Sequence, residues 1–110
     1  MDSIIEEAIR NELKKPEGKL TKTYLEKVTR LILNGTKKVT DAGLKEVAKL
    51  KHLNFLALNL TQITDAGLKE VAKLKQLRFV NLEDTKVTKA GVAQLIKVLP
   101  KCNITHNATR

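Results

Sequence analysis

The side chains that most often carry out catalysis are few and widely separated in this chain. His52 and His106 have no Cys and no pair of acids at metal-ligand spacing beside them, and we expect His52 to lie on a surface loop. Ser3 is the single Ser and lies at the terminus, so a Ser-based triad has nowhere to form. Cys102 is the single Cys, which excludes an internal disulfide, and we expect it to be a small buried residue. The sequence therefore predicts no catalytic, cofactor-binding or metal-binding residues, and a protein that is not an enzyme.

Net charge is the second chemical signal in the chain. Lys and Arg number 21 against 12 Asp and Glu, for a formal charge of +9. Such an excess favours an anionic partner, whether nucleic acid, an acidic protein or an anionic membrane surface. The Lys residues are spread in ones and twos, however, and the Arg and aromatic residues typical of nucleic-acid surfaces are scarce. We interpret most of the excess as a solvated Lys surface and expect any nucleic-acid binding to be weak and salt-dependent.

Length and hydropathy bound the class of protein. The 110 residues, 42% of them hydrophobic, are typical of one globular domain. No apolar run approaches the ~18 residues that a membrane span requires, and no secretory signal stands at the start. We therefore predict a cytoplasmic protein. A secreted or periplasmic chain that has lost its signal would look the same, so that origin stays open.

An internal repeat organises the chain. The letters TDAGLKEVAKLK run from Thr40 to Lys51 and again from Thr64 to Lys75, and a diverged third copy begins at Thr88. Repetition at a fixed spacing of this length is the signature of a solenoid or array. Twelve identical residues in tandem indicate recent duplication or engineering, and both origins remain open.

Each repeat contains a strand pattern and a helix pattern. Leu56 and Leu58 alternate with polar or variable residues, as they do in a strand with one buried face. Leu44, Val47 and Ala48 stand at i, i+3 and i+4, on one helical face. One strand and one helix cannot bury both apolar faces alone, so neighbouring repeats must stack.

The start of each helix carries three recurring residue types. Thr40 and Thr64 are expected N-caps, and the Asp that follows each of them lies in the first turn, where the helix dipole favours an acid. A Gly recurs at 43, 67 and 91, although Gly costs a helix ~1 kcal/mol. We attribute this Gly to a close approach between the backbones of helix and strand.

The strand motif LxxLxLxxT, followed by the TDAGL helix block, resembles the leucine-rich repeat family, and in particular its short bacterial-type and ribonuclease-inhibitor-like repeats. The resemblance implies an α/β fold: a right-handed solenoid with a parallel sheet on its concave side and helices on its convex side. It also implies a binding module. In that frame the strand-end threonines Thr36, Thr61 and Thr85 turn inward and hydrogen-bond loop backbone.

The two ends complete the predicted single domain. Residues 1–27 are expected to form a helical N-terminal cap, with a helix that begins after Asp2 or Ser3 and a short second helix from Thr21. Residues 28–99 hold about three 24-residue repeats, and residues 100–110 a final strand and tail. Because open solenoid ends need covers, these segments predict a complete array rather than part of a longer one.

The concave face is the predicted binding site. If Leu56 and Leu58 point inward, their neighbours along the strand point outward. The partner-binding residues expected from this alternation are Arg30, Ile32, Phe55, Ala57, Asn59, Phe79, Asn81 and Glu83. One row runs Arg30, Phe55, Phe79, Asn103, and it combines the residue types that anchor interfaces. The alternative is a cross-strand ladder that only stabilises the sheet.

The function predicted from these features is a protein–protein interaction module, a monomer or weak homodimer, whose partner is a protein of unknown identity. Two alternatives remain. The Lys-rich convex face, Lys45, Lys49 and Lys51 with their repeats Lys69, Lys73 and Lys75, would hold a polyanion or nucleic acid. A duplicated or engineered scaffold would have no dedicated ligand.

Overall fold

Four short parallel strands lie side by side in the order of the sequence, and a helix on the convex side connects each strand to the next. The computed structural model describes residues 2–110. In chain order the elements are α1 (Ser3–Leu13), α2 (Lys22–Leu25), β1 (Arg30–Ile32), α3 (Asp41–Val47), β2 (Phe55–Ala57), α4 (Asp65–Val71), β3 (Phe79–Asn81), α5 (Lys89–Val98) and β4 (Asn103–Thr105). The sheet order is β1-β2-β3-β4, which confirms the predicted α/β solenoid. No helix within residues 2–110 is long and apolar enough to cross a bilayer.

Two helices precede the first strand. Asp2 caps α1 through Oδ1, which accepts from the N–H groups of Ile4 (2.8 Å) and Ile5 (3.3 Å). The helix buries Ile5 and Ile9 and ends at Leu13, and its C-cap residue Lys14 has a left-handed φ of 54°. In α2, Thr21 Oγ1 accepts from the backbone N–H three residues on. The structure thus places helices where the sequence predicts them. Their role as a cap stays a prediction.

The core lies between the sheet and the helices. Leu31, Leu56 and Val80 occupy the central position of β1, β2 and β3, and each is 0% exposed. The helical positions expected to face inward, Leu44 and Val47 with their repeats, are also buried. Full burial of one such side chain stabilises the fold by roughly 1.5–3 kcal/mol. Because each side chain contacts the equivalent layer of the next repeat, the stacking holds the sheet in register.

The strand-end threonines behave as the resemblance implies in two repeats of three. Thr61 Oγ1 donates to the carbonyl of Leu58 (2.7 Å), and Thr85 Oγ1 donates to that of Leu82 (2.8 Å). Thr36 differs, since its Oγ1 instead accepts from the N–H of Lys38 at 3.2 Å. The first repeat has one more residue in this loop, and the bond lies within the longer loop.

The recurring Gly does not mark a contact between helix and strand, so that prediction is wrong. A Cβ on Gly67 would stand 2.8 Å from Leu44 Cδ1 and closer still to Asp41 Oδ1, both side chains of the preceding helix. A Cβ on Gly91 would collide with the carboxylate of Asp65 in the same way. The absence of a side chain at this Gly therefore leaves room for the Asp of the preceding repeat. The packing of one helix on the next, and not of helix on sheet, requires the Gly.

The Asp in the first turn of each internal helix also bonds to the next repeat. Asp41 Oδ1 accepts from the N–H of Thr64 at 2.8 Å, and its Oδ2 accepts from Thr64 Oγ1 at 2.5 Å. Asp65 makes the same two bonds to Thr88, at 2.8 and 2.5 Å. Each Asp thus connects its own helix to the start of the next one. We call this pair of contacts the Asp–Thr ladder.

The N-cap threonines are partly as expected. Thr64 Oγ1 accepts from the N–H of Ala66 at 3.3 Å, and Thr88 Oγ1 accepts from that of Gly91 at 3.1 Å. Thr40 occupies the same N-cap position but makes no side-chain capping bond. The two threonines that cap are the two that the Asp–Thr ladder also holds.

Candidate functional site

The concave face consists of the outward side chains of the four strands. The first residues of the strands pair Arg30 with Phe55, Phe55 with Phe79 and Phe79 with Asn103. This is the row expected from strand alternation, in the expected order. The third residues form a parallel row of Ile32, Ala57, Asn81 and Thr105.

Two aromatic rings stack at the centre of the first row. The ring centroids of Phe55 and Phe79 are 4.8 Å apart, with 20° between the ring planes, and both side chains are half-buried. Such a pair contributes about 0.5–1.5 kcal/mol beyond the area that it buries. The rings therefore stabilise the sheet and still present part of their surface to solvent.

Arg30 completes the aromatic row at one end. Its guanidinium carbon lies 5.8 Å from the centre of the Phe55 ring, within the range of a cation–π contact. Its Nε is 3.4 Å from Glu12 Oε1, on α1. The Arg30 side chain is nevertheless 61% exposed. The N-terminal helix thus orients this cation without burying it.

The second row offers less open surface than expected. Ile32 is 37% exposed, but Ala57 is only 8% exposed between its neighbours in the sheet. Ala57 stands in register with Ile32 and Asn81, yet its small, buried side chain contributes little area for a partner. Asn81 is half-buried, and its Oδ1 accepts from the N–H of Glu83 at 3.0 Å. The exposed apolar surface of this row therefore belongs to Ile32.

The rim beyond the strand ends contains a residue that the sequence analysis did not select. Leu60 is 52% exposed and has a left-handed backbone, with a φ of 61°. The equivalent positions of the neighbouring repeats hold Gly35 (φ 81°) and Asp84 (φ 56°). Gly and Asp are residue types that tolerate this conformation, whereas Leu does so at a cost. The alignment of Leu60 with Gly35 and Asp84 was the available signal.

The two remaining predicted residues, Asn59 and Glu83, lie beside this rim and are half-buried. Asp84 is held there by the tail of the chain. Its N–H donates to Asn107 Oδ1 at 2.9 Å, and Asn107 Nδ2 donates to Asp84 Oδ1 at 2.9 Å. The acidic side chains of the concave face thus lie at the rim, and Arg30 lies at the opposite end of the strands.

The convex face carries the expected lysines, all of them exposed: Lys45, Lys49, Lys51, Lys69, Lys73 and Lys75. Two of them pair with an acid three residues earlier in the chain, Lys49 with Glu46 at 3.2 Å and Lys73 with Glu70 at 3.0 Å. Exposed pairs at this spacing contribute ~0.3–0.5 kcal/mol. The positive potential of this face is thereby reduced at two of its six lysines.

The candidates for catalytic chemistry remain isolated from one another. His52 is exposed on its loop, as expected, and no group of three His, Cys, Asp or Glu within residues 2–110 is placed to hold a metal ion. Cys102 is half-buried rather than fully buried. Burial raises the pKa of its thiol, and the positive charge of Arg78 opposes that rise only in part. The thiol therefore stays protonated at neutral pH.

Comparison with known proteins agrees with this architecture. Residues 49–72 match a protein family described as Leucine Rich repeat, a stretch equal to one 24-residue repeat of this chain. A crystal structure of an internalin from Listeria monocytogenes has a similar fold, with a TM-score of 0.64 and 20% sequence identity. That similarity covers 99% of this chain and 38% of the internalin chain. A search of curated protein sequences gave no match.

Residues 49–72 thus match one leucine-rich repeat, and the fold of the chain is similar to that of the internalin.

Proposed function

We propose that this protein is a protein–protein interaction module that binds its partner on the concave face, with Phe55 and Phe79 as anchors. The observation that carries the proposal is the stacked aromatic pair beside an exposed arginine, on an open sheet. Aromatic and Arg side chains are enriched among the residues that dominate binding energy. The leucine-rich repeat family and the internalin-like fold support the same class of function.

The layout of the concave face supports this proposal. Its apolar centre, Phe55 and Phe79 with Ile32 in the next row, has polar and charged residues around it. Arg30 lies at one end of the strands and Glu83 at the other. Interfaces between proteins commonly have this arrangement, with aromatic residues at the core and a polar rim. Because the rings are already stacked on each other, a partner would find them ordered and would lose little side-chain entropy on binding.

The exposed lysines of the convex face support a second candidate, binding of a polyanion or nucleic acid. Four of the six, Lys45, Lys51, Lys69 and Lys75, have no ion pair with an acid in the described residues. Binding of this kind falls steeply with salt and does not depend on the aromatic pair. Salt and the Phe residues therefore separate the two candidates.

The test is a pull-down from the lysate of the source organism at low and high salt. Three baits are compared: wild type, Phe55→Ala/Phe79→Ala, and a convex control, Lys45→Ala/Lys69→Ala. A protein retained at high salt by wild type and by the control, and lost with the Phe variant, is the expected result. Equal retention by the Phe variant, with its fold intact, would remove the site from the concave face.

Other results assign other functions. In one of them, wild type and the Phe variant both capture nucleic acid or an acidic protein at low salt and both lose it at high salt. That result would assign binding to the lysines of the convex face. Absence of any specific capture would favour a scaffold without its own ligand. Sedimentation of the wild type and the Phe variant tests self-association. A concentration-dependent dimer that disappears in the variant would mean that the aromatic pairs of two copies meet across a two-fold axis.

A further inference from the structure

Arg30 differs in its contacts from Arg10 and Arg78, the two other arginines inside the chain. The guanidinium of Arg10 is engaged at all three nitrogens: Nε donates to Glu6 Oε2 at 2.9 Å, and the terminal nitrogens donate to backbone carbonyls at 3.1 and 2.8 Å. Arg78 is exposed, and within residues 2–110 its side chain makes no ion pair and no aromatic contact. Arg30 is intermediate, since it is held but not fully engaged.

Two contacts hold the Arg30 side chain. Its Nε lies 3.4 Å from Glu12 Oε1, and its guanidinium carbon lies 5.8 Å from the centre of the Phe55 ring. A guanidinium has five N–H donors in a rigid planar fork, and one carboxylate engages at most two of them. The side chain is 61% exposed, and in the described residues its terminal nitrogens make no hydrogen bond. At least three oriented donors are therefore open to a ligand.

The chemistry of these donors selects the ligand. The planar fork of Arg matches a carboxylate or a phosphate, which can accept two parallel N–H bonds. The carboxylate of Glu12 already lies beside the same guanidinium, and it repels a second anion in proportion to the charge of that anion. A singly charged carboxylate therefore fits Arg30 better than a doubly charged phosphate does.

The aromatic pair lies next to this charge, along the same row. The Phe79 ring is 4.8 Å beyond the Phe55 ring, and Asn103 follows in register on β4. Three strand spacings make the row about 14 Å long, from a cation through two apolar rings to an exposed amide. In an extended segment the side chains at i, i+2 and i+4 share one face and span about 13 Å. A helix that presents i, i+4 and i+7 spans only about 10 Å. The row therefore fits an extended segment that crosses the strands.

We propose that Arg30, Phe55 and Phe79 form a subsite for an extended segment of the partner in which an Asp or Glu is followed, two residues later, by an apolar side chain. We call these three residues the Arg30 subsite. The proposal rests on the concave-face function proposed above and names the chemistry of the partner. The partner's carboxylate accepts from the terminal nitrogens of Arg30, and its apolar side chain packs on the exposed part of the two rings. Charge complementarity sets the direction in which the segment lies across the sheet.

The test uses synthetic peptides as probes, each of about seven residues, with Ser and Thr at the positions not specified. The first peptide has Glu and Leu two positions apart. The second has Gln in place of Glu, and the third has Glu and Leu adjacent, which places the two side chains on opposite faces of an extended chain. A fourth has phosphoserine in place of Glu. Binding is measured by titration of the amide resonances in NMR spectra of the intact protein.

Four proteins are compared: wild type, Arg30→Lys, the matched control Arg78→Lys and Phe55→Ala/Phe79→Ala. Arg30→Lys keeps the charge but removes the planar fork, and Arg78→Lys makes the same change at an exposed arginine without the two contacts. Thermal unfolding verifies that each variant keeps its fold.

We expect wild type to bind the first peptide about fivefold more tightly than the second, which is the upper range for an exposed ion pair. The peptide with adjacent Glu and Leu should bind no better than the Gln peptide. Arg30→Lys should reduce the preference for Glu to less than about twofold, and Arg78→Lys should keep it. The Phe variant should lose affinity for the first two peptides alike.

Four results would overturn the Arg30 subsite: no saturable binding of the first peptide, equal affinity for the Glu and Gln peptides, an unchanged preference in Arg30→Lys, or an equal loss in Arg78→Lys. Equal affinities that both fall in the Phe variant would reject the subsite and leave the concave-face function standing. Full binding by the Phe variant would count against both. Tighter binding of the phosphoserine peptide than of the Glu peptide, dependent on Arg30, would overturn the proposal in favour of a phosphopeptide.

Discussion

The carboxylate of Asp41 accepts two hydrogen bonds from Thr64, one from its backbone N–H at 2.8 Å and one from its hydroxyl at 2.5 Å. The donor and acceptor lie 23 residues apart and belong to successive repeats. Hydrogen bonds to an ionised group are the stronger kind, and here a pair of them joins two successive helices. The Asp–Thr ladder is therefore a specific polar link between stacked repeats.

Loss of one ladder carboxylate should destabilise the fold. We expect Asp65→Ala to lower the free energy of unfolding by about 2 kcal/mol, because two charge-assisted bonds disappear and the Thr88 N–H loses its partner. Urea denaturation followed by circular dichroism measures this value. Lys89→Ala is the matched control at the equivalent position of the last repeat, and its expected change is within ~0.5 kcal/mol. Equal effects of the two substitutions would contradict a special role for the carboxylate.

Two glycines of identical sequence context should respond oppositely to the same change. Gly67→Ala forces a Cβ into Leu44 and Asp41, and overpacking of this kind costs about 1–3 kcal/mol. Gly43→Ala meets only ordinary contacts, the nearest being Asp2 Oδ2 at 3.4 Å and Ile5 Cγ1 at 3.5 Å. That variant should gain up to ~1 kcal/mol from helix propensity. Equilibrium unfolding measures the stability of both variants. A loss of stability in Gly43→Ala as large as that in Gly67→Ala would contradict the prediction.

The left-handed backbone at Leu60 predicts a stabilising substitution. Leu60→Asn should raise the free energy of unfolding by about 1 kcal/mol, because Asn adopts a positive φ more readily than Leu does. Leu60→Ala removes the same exposed side chain but leaves an unfavourable backbone, so we expect no comparable gain. Thermal unfolding of the two variants gives the comparison. An equal gain in both would attribute the effect to the exposed side chain instead of the backbone.

The thiol of Cys102 should react slowly at neutral pH. Because burial raises its pKa, little thiolate is present, and the thiolate is the nucleophile. Iodoacetamide alkylation of the native protein should be slower than that of free cysteine. Arg78→Ala should slow it further, since that positive charge holds the pKa down. Alkylation as fast as that of free cysteine would show that the thiol is not desolvated.

The raised pKa of Cys102 also makes the stability of the fold depend on pH. A raised pKa in the folded state means that the unfolded chain releases the proton first as pH rises. The contribution of the protonated thiol to the free energy of unfolding is therefore complete at neutral pH, and it is lost as the pH rises into the alkaline range. Cys102→Ser lacks this group, so its stability should fall less steeply over that range.

The strands and helices could be predicted because their positions depend on local patterns that recur three times. The alternation around Leu56 identifies a strand, and the spacing of Leu44 and Val47 identifies a helix face, in every copy. The rows of the concave face follow directly, since parallel stacking of equal repeats sets their register. The strands and the buried helix faces were therefore predicted correctly from the pattern of one repeat.

The contacts between repeats were harder to assign. Asp41 in a first turn is fully explained by the helix dipole, so its place alone gives no reason to look for Thr64. A recurring Gly indicates that another group packs closely against the helix at that position. It does not show whether that group is a strand or the Asp carboxylate of the preceding repeat. Burial of Ala57 and exposure of Leu60 likewise depend on neighbours across the sheet. Lys89 in the last copy was the one visible clue, since it breaks the Asp pattern where the ladder ends.

The direction of the Asp–Thr ladder bears on how such a chain changes length. The α4 unit brings an acceptor, Asp65, for the unit after it and a donor, Thr64, for the unit before it. A tandem duplication or loss of one whole 24-residue unit therefore leaves each junction chemically the same as the old one, with no compensating substitution needed. The twelve-residue identity of two copies is what such an event leaves behind. Lys89 marks where this interchangeability stops, because a unit placed after α5 would find no ladder carboxylate at that position.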